Sequence, residues 1–248
     1  MTHPEDLDPD STGENMLDWR EGDMPYSLAF GDHFYCQTDG RLECGHVFLN
    51  GNGLPGRWAD QQEETFLIGE LGFGTALNLT ETWRQWKLAR RPGKTLHFVS
   101  FELYPMRAQE IDRALSRWPE VDTERQALVA LWPQEPQGII ALQMDDQTKL
   151  TVVCGEALQG IGTSALTFDA WFLDGFAPSR NPDMWSVEIM NSIYEKTRES
   201  GTFATYAAAG FVRRNLQAVG FKVERRKGFA GKREMLCGIK HIDTNSPT

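Results

Sequence analysis

Thr65-Phe66-Leu67-Ile68-Gly69-Glu70-Leu71-Gly72-Phe73-Gly74-Thr75-Ala76 is an apolar β-prone run, an acidic residue, a glycine turn and a helix start, in that order. Thr65 to Ile68 read as a short strand ending at Gly69. Gly72 and Gly74 remove side chains where the backbone must bend sharply and a ligand must come close. From Ala76 to about Leu88, the apolar residues Leu79, Trp83 and Trp86 recur at three- and four-residue spacing, which predicts a helix. Thr75 stands at its start, where free N–H groups point at whatever lies above the turn.

The same alternation continues along the chain. Leu96 to Phe101 is a second strand closed by Glu102, and a helix follows over roughly Met106 to Trp118. Val121 to Gln147 is irregular or helical, broken by Pro133 and Pro136. Leu150–Cys154 and Asp169–Asp174 are further strands. A helix runs from Pro182 to about Arg198, and Gly201 stops it before the strand Thr202–Tyr206. The last helix, about Gly210 to Val219, ends at Gly220, a residue free to turn left-handed. Two strands close the chain, Phe221–Glu224 and Met235–Ile239, joined by a glycine-rich basic loop that suits a hairpin. The final strand is therefore expected to run antiparallel at or near the sheet edge. Strands alternating with helices predict a mostly parallel sheet covered on both faces.

Residues 1–24 read as an acidic, flexible leader, 25–240 as one domain and 241–248 as a tail. The domain opens with a small β-rich element over 25–60, which includes Val47-Phe48-Leu49 and the turn Asn50-Gly51-Asn52-Gly53. The length of 248 residues, with 40% hydrophobic and 24% charged, fits this single-domain reading. No apolar stretch approaches the roughly 20 residues that cross a bilayer. The start lacks the basic-then-apolar order of a secretory signal. Both point to a cytoplasmic protein without membrane contact. Cys36, Cys44, Cys154 and Cys237 have no zinc-site spacing, so no metal is expected and the thiols read as reduced.

Net charge is −10, yet Arg213, Arg214, Lys222, Arg225, Arg226, Lys227, Lys232 and Arg233 face only Glu224 in their segment. That segment is either a solvated charged face or a local phosphate-binding surface. The glycine turn is narrower in meaning than its two glycines suggest. The third glycine of a dinucleotide fingerprint is replaced by Leu77. Glu70 would repel a pyrophosphate but suits a sulfonium or an ammonium. Glu102, at a strand end, stands where a carboxylate accepts both ribose hydroxyls. These features favour S-adenosylmethionine over a nicotinamide. Asp174 ends another strand on the ligand side, in Asp169-Ala170-Trp171-Phe172-Leu173-Asp174-Gly175-Phe176-Ala177-Pro178. It can hold the lone pair of an amine toward a methyl group, or serve only as a turn residue. Glu156, after the third strand, is placed to contact an adenine or simply to be exposed. His33, His46 and His97 have no partners that suggest a catalytic triad.

At this point the sequence resembles the methyltransferase half of the bifunctional bacterial enzymes that complete 5-methylaminomethyl-2-thiouridine at the tRNA wobble position, and the stand-alone relatives of that half. The matching stretches include Met24-Pro25-Tyr26-Ser27, Phe30-Gly31-Asp32, Val47 to Asn52 and the Glu70–Thr75 turn. Further on they include Phe98 to Glu102, the run Phe168 to Trp185, Ala209 to Arg214, Lys227-Gly228-Phe229 and Lys232 to Leu236. The resemblance implies a Rossmann-like class I S-adenosylmethionine-dependent methyltransferase fold. It implies methylation of the aminomethyl group of a wobble uridine, with Asp174 beside that amine. The implied cofactor contacts are Glu70, Gly72, Phe73, Gly74, Thr75, Asn78, Glu102, Glu156, Ala157 and Asp174. The implied tRNA contacts are Arg180, Arg213, Arg214, Lys227, Lys232 and Arg233.

Two residues depart from the family pattern: Ala76 stands where it has glycine, and Glu156 where it usually has Asp. The methyl of Ala76 at the helix start can crowd the cofactor without abolishing its binding. The sequence after the last strand leaves no room for the FAD-dependent oxidase half. Either a separate protein supplies the aminomethyl group, or the chain is a cut-out domain. The competing readings are a same-fold methyltransferase for a small amine, a nicotinamide-dependent oxidoreductase and a catalytically silent RNA-binding module. A small substrate gives the basic segment no task, and a silent module has no use for Glu70, Glu102 and Asp174 together.

Overall fold

The computed structural model describes residues 17–241. It begins with a small antiparallel sheet of β1 (Leu17–Arg20), β2 (Met24–Ser27) and β3 (Asp32–His33). A short helix, α1 (Gly40–Cys44), is capped by the Asp39 carboxylate, which accepts from the Leu42 N–H at 3.0 Å. It runs on into a π-helical turn over Gly45–Leu49, and α2 (Gly56–Ala59) follows. The alternating part is β4 (Thr65–Leu71), α3 (Leu77–Ala89), β5 (Thr95–Glu102), α4 (Ala108–Leu115), α5 (Asp122–Leu131), β6 (Ile139–Asp145) and β7 (Thr148–Cys154). It continues with α6 (Ala157–Thr163), β8 (Phe168–Leu173), α7 (Val187–Glu195), β9 (Thr197–Thr205), α8 (Gly210–Ala218), β10 (Phe221–Lys227) and β11 (Glu234–Lys240).

The main sheet has the order β10-β11-β9-β8-β4-β5-β7-β6. β7, β5, β4, β8 and β9 run parallel, while β11 is antiparallel to both β9 and β10. The expected antiparallel closing strand is therefore present, inserted one place in from the edge. β4 lies in the middle and is buried from Phe66 onward, as a strand covered on both faces must be. Gly69 is forced by its neighbour: a Cβ there would lie 2.5 Å from the Trp171 ring of β8. One face of the sheet packs Trp58, Trp86, Phe98 and Phe172 with α3 and the N-terminal helices. The other packs Phe101, Phe168, Trp171, Trp185 and Phe203 with α6, α7 and α8.

Four expectations need correction. The small sheet begins at Leu17, inside the stretch read as a leader, so the structured part starts earlier than residue 25; residues 1–16, and the tail from 242 on, lie outside the described residues. Val47, Phe48 and Leu49 are helical, not β; all three are buried, and a short apolar run buried on every side carries no period that separates helix from strand. The segment with Pro133 and Pro136 leads into a strand, β6, whose outward Ile139 and inward Ile140 alternate at the sheet edge. Gly201 does not stop a helix. α7 ends at Glu195, and Gly201 lies within β9 where its register against β8 shifts, next to Ser200 at φ 59°.

Ala76 is the residue before α3 and sits at φ 65°, a left-handed conformation that costs a residue with a Cβ roughly 1–2 kcal/mol. This explains why glycine is at home in that place. Its side chain is 1% exposed and packs in the core beneath the turn. Replacing Ala76 with Gly relieves the strain but loses a buried methyl and loosens the unfolded chain, so stability in urea should change by no more than about 1 kcal/mol. Ala76→Val, β-branched in the same conformation, should lose about 1–3 kcal/mol.

Candidate active site

Three carboxylates converge at the carboxyl ends of three adjacent parallel strands: Glu70 on β4, Glu102 on β5 and Asp174 just past β8. That is the end of an open α/β sheet where ligands bind. Glu70 is 1% exposed. Asn78, in the first turn of α3, bridges two of them: its amide donates to Glu70 Oε1 at 3.0 Å and to Asp174 Oδ2 at 2.7 Å. The other Asp174 oxygen accepts from the Gly175 N–H at 2.9 Å. Glu102 holds the glycine turn in shape, accepting from the Gly74 N–H at 2.9 Å and the Tyr104 N–H at 2.8 Å. Backbone N–H groups thus fix the orientation of the Glu102 carboxyl, which borders two cavities.

Loss of water sets the electrostatics. Burial raises Glu70 well above the usual carboxylate range; the Asp174 and Glu102 charges add to this, and the nearby Ser100 hydroxyl and the Asn78 hydrogen bond oppose it. Burial also raises Glu102, against backbone N–H groups that include those of Gly74 and Tyr104. Asp174 is pushed up to about 7 by burial, with its Gly175 and Asn78 hydrogen bonds acting the other way. Carboxyls held away from water at such values favour a cationic ligand, which would bring them back toward ionisation.

Glu102 and Asp174 face two adjoining cavities of about 490 and 650 Å³, Asp174 the first and Glu102 both. Gly72, Glu102, Phe34, Gly175 and Phe176 line both. The first holds Phe73, Gly74, Thr75, Asn78 and Asp174; the second holds Glu156 and Ala157. The expected cofactor contacts thus border one continuous site, except Glu70, which is buried and joined to it through Asn78. Glu156 is exposed at its rim, whereas Ala157 is buried at the start of α6. Gly72, at φ 78°, and Gly175, at φ 134°, pass close to each other, and a Cβ on Gly175 would strike Met184 Sδ at 2.3 Å. Ala76 borders neither cavity, so its methyl does not crowd the ligand space.

One wall of the site is assembled only by the fold. Phe176 stacks on Phe30 with centroids 4.7 Å apart, and Phe34 meets its edge at 5.1 Å. Asp32 Oδ2 accepts from the Ala177 N–H at 3.2 Å. The N-terminal sheet and its following loop therefore clasp the segment after Asp174. Phe30-Gly31-Asp32 was visible as a motif, but its spatial partner was not. Glu43 and Tyr206 also line the Asp174 cavity, and neither carried a sequence signal. Of the expected tRNA contacts, only Lys232 lines that cavity. Lys227 and Arg233 are exposed on either side of the β10–β11 turn, Arg213 and Arg214 lie in the middle of α8, and Arg180 is exposed beside Gly31.

Residues 119–241 match the family of S-adenosyl-L-methionine-dependent methyltransferases. With the sheet order and the glycine turn, this places the chain among the class I S-adenosylmethionine-dependent methyltransferases. It is 41% identical over 229 residues to the tRNA 5-methylaminomethyl-2-thiouridine biosynthesis bifunctional protein MnmC of Marinomonas sp. strain MWYL1, covering 92% of this chain and 34% of that protein. The protein of the same description from Methylobacillus flagellatus is 41% identical over 223 residues, 90% of this chain and 34% of its own length. The chain spans about a third of the length of these curated relatives. The crystal structure of MNMC2 from Aquifex aeolicus superposes with a TM-score of 0.68 at 20% identity, over 94% of this chain and 72% of that one. The family resemblance read from the sequence holds across nine-tenths of the chain.

The residues present fit the cofactor: buried carboxyls of raised pKa suit its sulfonium and ammonium, and the glycines leave room for close approach. Ionising a buried Asp174 costs stability. Its raised folded value means that the protonated form stabilises the fold at low pH, and that this stability is lost as pH rises from about 3.8 through about 7. Asp174→Asn should therefore become progressively more stable than the parent across that window, by up to a few kcal/mol, and the difference should level off above it. Urea melts of the ligand-free proteins at a series of pH values measure it.

Proposed function

We propose that the protein transfers a methyl group from S-adenosylmethionine to the primary amine of 5-aminomethyl-2-thiouridine at the tRNA wobble position. The observation that carries this reading is that Lys232, from the basic β10–β11 turn, stands in the wall of the same cavity as Asp174. The surface suited to phosphates thus leads into the place suited to an amine. The description of the relatives as tRNA 5-methylaminomethyl-2-thiouridine biosynthesis proteins supports the substrate.

When bound, the cofactor supplies an electrophilic methyl on a sulfonium. The protein's own part is positioning. Asp174, oriented by Asn78 and the Gly175 N–H, accepts a hydrogen bond from the amine and turns its lone pair toward the methyl. The amine would take that methyl in line, with S-adenosylhomocysteine as the leaving group that keeps the sulfur–carbon bonding pair. The product ammonium gives its proton to Asp174 and thence to water. A carboxyl near 7 takes that proton more readily than one near 3.8. Glu102 accepts the ribose hydroxyls, Glu70 favours the cofactor's cationic end, and Glu156 and Ala157 border the adenine. Arg180, Arg213, Arg214, Lys227, Lys232 and Arg233 meet the RNA. The reaction requires an earlier step that exposes the aminomethyl group, supplied by other wobble-uridine enzymes such as a separate FAD-dependent oxidase. The protein acts in the cytoplasm.

With labelled S-adenosylmethionine, methyl should pass to tRNA carrying 5-aminomethyl-2-thiouridine and not to tRNA lacking it. Equal labelling of both would contradict the substrate assignment. Asp174→Ala should cut kcat by about 100-fold or more, with a smaller loss of affinity that falls on S-adenosylmethionine and spares S-adenosylhomocysteine.

A further inference from the structure

We propose that Lys232, held by Glu43 and Tyr206, recognises the ring carbonyl oxygen that neighbours the methyl-accepting aminomethyl group. The inference rests on the wobble-uridine reading above and adds a base-recognition subsite to it. Lys232 Nζ lies 2.7 Å from Glu43 Oε1 and 4.5 Å from the centroid of the Tyr206 ring. Glu43 comes from α1 and is 8% exposed; Tyr206 follows β9 directly, and its hydroxyl donates to the carbonyl of Gly175, the residue after Asp174. All of these residues line one cavity with Asp174 and Asn78. The charges of Glu43 and Lys232 are both felt at the Asp174 carboxyl.

The turn that presents Lys232 is built for it. Ala230 and Gly231 both take positive φ, and the Lys232 N–H donates to the Phe229 carbonyl at 2.9 Å. Gly228 passes so close that a Cβ would lie 2.5 Å from the Lys232 carbonyl oxygen. The ion pair is not needed merely to fasten this turn to the N-terminal helices. The Lys227 carbonyl already bonds the His46 ring at 2.8 Å, and Phe229 packs against the core.

An ammonium has three N–H donors. Glu43 accepts one and the Tyr206 face attracts the cation, which leaves donor capacity toward the cavity. The buried partner carboxylate nearly cancels the charge of Lys232, so the pair suits a neutral carbonyl better than a phosphate. On an aminomethyl pyrimidine, the amine and the C4 carbonyl oxygen share one edge of the ring. An amine placed at Asp174 brings that oxygen toward the same cavity wall. A simple alkyl amine offers no such acceptor, so the contact selects for the base.

The test is methyl transfer to an anticodon stem-loop RNA carrying 5-aminomethyl-2-thiouridine, measured across a salt series for the parent, Lys232→Met and Glu43→Gln. Lys232→Met should lower kcat/KM about 10- to 100-fold at every salt concentration, the effect of losing a hydrogen bond to a charged donor. The salt dependence should keep the parental slope, and cofactor Kd should not move. Glu43→Gln should lower kcat/KM several-fold, again with cofactor Kd unchanged. A Lys232→Met enzyme with parental kcat/KM would overturn the proposal. So would a shallower slope with little loss at low salt, which marks a phosphate contact. Loss of cofactor binding in Lys232→Met would mark a structural pin and overturn it as well. A parent enzyme that leaves this RNA unmethylated would instead remove the substrate reading beneath it.

Discussion

The rest of the site depends on one electrostatic constraint: Glu70, Glu102 and Asp174 are gathered where water cannot fully solvate them. Parallel strands β5, β4 and β8 are adjacent, so residues at their carboxyl ends are brought together by sheet pairing alone. Burial raises the pKa of each, and the negative charges of Asp174 and Glu102 add to the cost at Glu70. Such a cluster is unfavourable in the empty protein and is relieved by a cation. Asn78 keeps the cluster ordered by giving one amide to two carboxyls. The strain at Ala76 belongs to the same design, because the left-handed step there starts α3 and so places Asn78 two residues later.

The aromatic wall has a second role that follows from its connections. Phe34 and Phe176 line both cavities, Phe30 stacks on Phe176 in the second, and Asp32 ties the N-terminal loop to the segment after Asp174. The small sheet that looks like an addition to the fold thus shapes both the cofactor space and the amine space. On the opposite side, the β10–β11 turn approaches through Lys232 and Glu43. The site is enclosed by elements from both ends of the described residues.

Much of this was legible in the sequence, for identifiable reasons. The central strands are continuous apolar runs, α3 carries a three- and four-residue apolar spacing, and Glu70 and Asp174 stand next to the glycines that mark the turns. The Asp174 motif and the basic segment were likewise visible as local composition. What could not be read was mostly tertiary. Val47 to Leu49 carry no period because every side is buried. β6 is an edge strand next to prolines, and Gly201 marks a register shift and not a helix end. Glu43 and Tyr206 become meaningful only when Lys232 reaches them across the fold. Ala76 borders neither cavity, because the direction of one methyl group depends on a backbone angle that sequence does not display.

The claim that a buried carboxylate cluster selects a cationic cofactor is tested most directly by calorimetric titration of S-adenosylmethionine and S-adenosylhomocysteine between pH 5.5 and 8. The two ligands differ by the methyl group and the sulfonium charge. Binding a cation beside carboxyls of raised pKa must release protons, so S-adenosylmethionine affinity should rise with pH through about 7, more steeply than that of S-adenosylhomocysteine. Identical pH dependence for the two ligands, or affinity that falls as pH rises, would contradict the account.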